Sequence, residues 1–194
     1  RRNLKKFIVE DGNSYFKSIN GILYDKETDS ETGTEKLKLF VCPQSIEIKN
    51  IVVPSNVVTI AAGAFRNCKD IKTVSLPDGV GGFGPATFCG CENLEKVIMN
   101  TDIISVSDGA FAGCKNLTDI SNVKVSNVGK AGFSMCEKIE YVNITGKVIG
   151  ESVFYGCSSL EKINLPEGLE SIYYNAFAGT KATNIMIPAS VTYN

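Results

Sequence analysis

The chain has 194 residues but no histidine and no tryptophan. Without histidine it lacks the usual general base, every Ser-His or Cys-His nucleophile pair and the commonest metal ligand. Lys and Arg number 20 and Asp and Glu 21, so the net charge of −1 gives no electrostatic pull toward nucleic acid or an anionic membrane. No apolar run approaches the ~20 residues of a membrane-spanning helix. The opening "RRNLKKFIVEDGN" lacks the apolar core of a signal peptide. No phosphate-cradling glycine loop or nucleophile elbow stands out. The glycines of "GVGGFG" surround Phe83 at an inward repeat place and read as a corner of the chain. These absences argue against an enzyme and imply no cofactor.

What is present is a repeat. Phe65, Phe88, Phe111, Phe133, Phe154 and Phe177 follow one another at steps of 23, 23, 22, 21 and 23 residues. Three residues after each comes Cys68, Cys91, Cys114, Cys136, Cys157 and finally Thr180. Next come Ile71, Leu94, Leu117, Ile139 and Leu160, then Val74, Val97, Ile120, Val142 and Ile163, then Leu76, Met99, Ile144 and Leu165 two further on. Asn122 breaks the last series in the third unit, and Ala182, Ile185 and Ile187 fill the final one. The closing spacing of two predicts a short strand in every unit, stopped by Pro77, Pro166 or Pro188. A second apolar pair precedes five of the six Phe residues by eight and five residues: Val57/Ile60, Val80/Phe83, Ile103/Val106, Val125/Val128 and Leu169/Ile172; before Phe154 only Ile149 keeps the register. The small residues between pair and Phe predict a tight corner leading into one helical turn, as in "AFRNCKDI". A single unit exposes its apolar face; stacked units cover one another.

The regular cysteines admit three readings. Phe and the Cys three later share a face of a helical turn, which makes the cysteines small buried hydrophobes with a weak donor. Zinc needs four ligands meeting at a point, and a ladder offers a line. Disulfides between neighbouring units remain open, since stacked Cα atoms fall within bridging distance. Packing is the favoured reading. It predicts that Cys114→Ser buries an unpaired hydroxyl and that Cys114→Ala leaves a small void. Cys42 and Cys89 lie off the ladder, and Cys89 in "FCGC" is the more reactive candidate.

Residues 10–50 interrupt the period. "GILYD" and "KLKLFV" predict a β-hairpin with a polar tip carrying Asp25, Glu27, Asp29 and Glu31. A calcium loop starting at Asp25 would want Gly and Glu where Ser30 and Lys36 stand, so the tip reads as solvated. Leu4, Phe7 and Val9 match the strand places of a preceding unit. The expected organisation is one repeat domain over 1–194, with a hairpin insertion at 10–50 and six consecutive coils over 51–194.

"GAFAGCKNLTDI", "GVGGFGPATFCGCENLEKVIM" and "LPEGLESIYYNAFAGT" resemble the BspA-like leucine-rich repeats of bacterial and protozoan surface proteins. "NSYFKSINGILYD" resembles a segment that often follows a repeat there, with its Tyr shifted. The resemblance implies a right-handed leucine-rich repeat solenoid: β-rich, with one short helical or 3-10 turn per coil and a parallel sheet on the concave side. It also implies a secreted or cell-surface protein with a protein or glycan ligand, host extracellular ligands included, and no catalytic residues.

In that register the outward places of the strands are Lys5, Lys6 and Ile8; Lys72, Thr73 and Ser75; Glu95, Lys96 and Ile98; Thr118, Asp119 and Ser121; Glu140, Tyr141 and Asn143; Glu161, Lys162 and Asn164; and Thr183, Asn184 and Met186. Lys96, Asp119, Tyr141 and Lys162 are expected to form one lateral row, the candidate ligand-binding site, with no metal site. Mixed charge on the solvent side of strands also simply keeps solenoids soluble. The sequence therefore supports a non-enzymatic binding module, with adhesion through the concave face, against a spacer array with no ligand of its own.

Overall fold

The computed structural model describes residues 3–100, 105–120 and 128–192. Ile103, Ser121, Asn122 and Val125, which carry parts of the repeat pattern, lie outside the described residues. The strands in chain order are β1 (Phe16–Ile19), β2 (Ile22–Thr28), β3 (Glu35–Val41), β4 (Asn50–Val52), β5 (Val57–Ile60), β6 (Thr73–Ser75), β7 (Gly82–Phe83), β8 (Lys96–Ile98), β9 (Ser105–Val106), β10 (Tyr141–Asn143), β11 (Val148–Ile149), β12 (Lys162–Asn164) and β13 (Ser171–Ile172).

A coil supplies up to two short strands, reduced to single bridges at Asp119 and Val128, and like strands pair in parallel from coil to coil. β4, β6 and β8 form one sheet, and β10 pairs with β12 on the same repeat places. β3 with β5, β7 with β9 and β11 with β13 make the second ladder. Ile51, Val74, Val97 and Val142 at the middle of the first-ladder strands point inward and are buried, whereas their sequence neighbours face solvent. That is the period of two expected of a half-buried strand. Pro54, Pro77, Pro166 and Pro188 each accept a hydrogen bond from the residue three later. They open the β-turns that carry the chain from the first ladder to the second.

The corner before each Phe departs from the expected helical turn: no helix forms among the described residues. In the coil of Phe65, Ala64 N donates to Ala61 O, Arg66 N to Gly63 O and Cys68 N to Phe65 O, at 3.0–3.1 Å. The alternate donors Gly63 N, Phe65 N and Asn67 N go instead to Pro85, Thr87 and Cys89 O of the next coil. A helix would need all of these donors for itself. Backbone angles enforce the split. The residue two before Phe has positive φ in every coil (Gly63, Ala86, Gly109, Ala131, Ser152, Asn175), and so does the residue two after it (Asn67, Gly90, Gly113, Met135, Gly156, Gly179). The left-handed conformation costs a non-glycine residue about 1–2 kcal/mol; hydrogen bonds to the neighbouring coil offset it.

Two columns run through the core. The rings of Phe65, Phe88, Phe111, Phe133, Phe154 and Phe177 stack at centroid spacings of 5.0, 5.3, 5.3, 5.7 and 5.8 Å and lie within 13° of parallel. Phe83 wedges edge-on against Phe88 and Phe111, 5.2 Å from each. Beside the rings, Cys68, Cys91, Cys114, Cys136 and Cys157 are fully buried, and no cysteine is bridged. The thiols are also donors. Cys91, Cys114, Cys136 and Cys157 Sγ lie 2.9, 3.1, 3.2 and 3.1 Å from the carbonyl oxygen of the Phe one coil back. This corrects the expected behaviour of Cys114→Ser, because the Phe88 carbonyl is available to a hydroxyl there. Burial pushes the Cys91, Cys114 and Cys136 thiols well above their ordinary range and that of Cys157 up to about 12.

Residues 16–41 form a three-stranded antiparallel meander, β1-β2-β3, whose last strand pairs in parallel with β5. β2 and β3 are the two strands of the expected hairpin; β1 is additional. Ile22, Tyr24, Leu37 and Leu39 join the core of the coils. At the tip, the Asp29 carboxylate accepts from Glu31 N, Thr32 N, Thr32 Oγ1 and Lys36 Nζ. The Lys36 ammonium above all, and then these turn donors, hold Asp29 far below the usual carboxylate range. At the two ends the inward places are less covered: Leu4 is 37% exposed and Ile187 51%, each with a coil on one side only in this structure.

Candidate functional site

The outward face of the first ladder is built by strands only three residues long, so each coil shows two side chains there. Lys96 bridges in parallel to Asp119, with Lys96 Nζ 2.7 Å from Asp119 Oδ2. Tyr141 pairs in register with Lys162. The expected single row therefore consists of two pairs, held in separate sheets among the described residues. Tyr141 is 52% exposed, so its ring is free for contact on one side.

A second row flanks the first. Val52, Ser75 and Ile98 are in register on β4, β6 and β8, and Val52 is 73% exposed. On β10 and β12 the same places hold Asn143 and Asn164, with Asn164 Nδ2 donating to Asn143 Oδ1 at 2.7 Å. Met186 follows in the last coil and is 90% exposed. Sequence reasoning missed Val52, although its repeat place equals that of Ser75 and Ile98. Ile8, named as outward, is exposed too.

Charges on the edges of this face pair between coils. Lys72 Nζ lies 2.8 Å from Glu95 Oε1, and Lys181 Nζ 2.9 Å from Glu161 Oε2. Their lysine partners hold Glu95 and Glu161 below the ordinary carboxylate value, chiefly through these hydrogen bonds. Pairs this exposed contribute little to stability; they keep the face polar and set which charges remain for a partner. No group of three or more Cys, Asp or Glu among the described residues could hold a metal ion. The buried thiols are protonated and poor nucleophiles. No described helix is long and apolar enough to cross a membrane. The arrangement presents aromatic, aliphatic and amide groups to solvent among paired charges.

Comparison with known proteins agrees with this geometry. No curated protein matches the chain in sequence. Among solved structures, a leucine-rich cell surface protein of Faecalibacterium prausnitzii is 26% identical with a TM-score of 0.75, covering 94% of this chain and 50% of its own. A leucine-rich repeat protein of T. pallidum is 24% identical with a TM-score of 0.66, covering 80% of this chain and 75% of its own. The pneumococcal vaccine antigen PcpA is 22% identical with a TM-score of 0.61, covering 96% of this chain and 44% of its own. The chain thus spans about half the length of the Faecalibacterium protein, and the likeness to the other two shows the fold alone. The family model for the BspA-type leucine-rich repeat region matches in 6 copies over residues 36–148 and 145–194. The chain belongs to the BspA-type leucine-rich repeat proteins.

Proposed function

We propose that this chain is a non-enzymatic, surface-displayed or secreted binding module that adheres to a protein of a host or neighbouring cell through the outward face of its first ladder. The observation that carries the reading is Tyr141, half exposed and in register with Lys162. Tyr is among the residues enriched at interface hot spots, and a neighbouring Lys belongs to the polar rim that surrounds them. Val52, Ile98 and Met186 add exposed apolar surface on the same repeat places. The Faecalibacterium relative is described as a cell surface protein, which supports display outside the cell.

The test is biolayer interferometry of the chain against a panel of extracellular matrix proteins and glycans, with a Lys96→Ala/Tyr141→Ala/Lys162→Ala variant alongside. The expected result is binding to a protein ligand that the variant weakens by roughly thirtyfold or more, the scale of a lost hot spot. Binding unchanged in the variant would move the site off this face. Binding to glycans alone would change the partner class, and no binding across the panel would favour a spacer array.

A further inference from the structure

We draw no further inference here: the strongest candidate, the exposed surface patch of Met135, Tyr155, Tyr173 and Tyr174 along the corners of the later coils, carries nothing because nothing in the structure shows what covers it.

Discussion

Phe111→Ala is expected to destabilise the protein by about 3–5 kcal/mol, the cost of deleting a fully buried aromatic ring. The ring sits at the middle of the column, stacked on Phe88 and Phe133 and met edge-on by Phe83. Its removal opens a cavity that touches three coils at once. Coils interact only with their neighbours, so a central loss weakens the coupling between the two halves of the array. Urea unfolding followed by far-UV circular dichroism should show a midpoint shift of that size, or a transition split in two. A shift under about 1 kcal/mol, the scale of an ordinary surface substitution, would mean that the column is not the core.

Gly129→Val should cost about 3 kcal/mol, the upper part of the range for overpacking, and for a different reason. A Cβ at Gly129 would stand 2.6 Å from Asp108 N and 2.9 Å from Ser107 C, both backbone atoms of the preceding coil, and would also meet Asp108 Oδ1. The same two coils are held by Gly129 N donating to Val106 O at 2.7 Å and Lys130 N donating to Asp108 Oδ1 at 2.9 Å. A side chain cannot be admitted without breaking that seam, because backbone does not rotate away as a flexible side chain would. Gly168, with nothing within 4 Å of the added atom, is the control. Equal melting temperatures for Gly129→Val and Gly168→Val would contradict the close approach.

Much of this fold can be read in the sequence because its information repeats. One coil's pattern is ambiguous, but the same places hold Phe and Cys again and again, and burial follows place by place. The corner could not be read in the same way. Ala86, Ala131 and Met135 are good helix formers by local preference, yet each holds a positive φ. Hydrogen bonds to the next coil override the preference, and such bonds have no local signature. The Lys96–Asp119 ion pair depended on rotamers that register alone does not specify.

The central claim is that the regularly spaced cysteines are packed core side chains rather than disulfides or metal ligands. Titration with Ellman's reagent, without reductant, tests it directly. The chain has seven cysteines, of which Cys89 alone is half-buried and the other six are buried. The native protein should release one equivalent rapidly and the remaining six only on unfolding in guanidinium. Rapid reaction of three or more thiols in the folded protein, or fewer than seven after unfolding, would show an accessible or disulfide-bonded ladder and contradict the account.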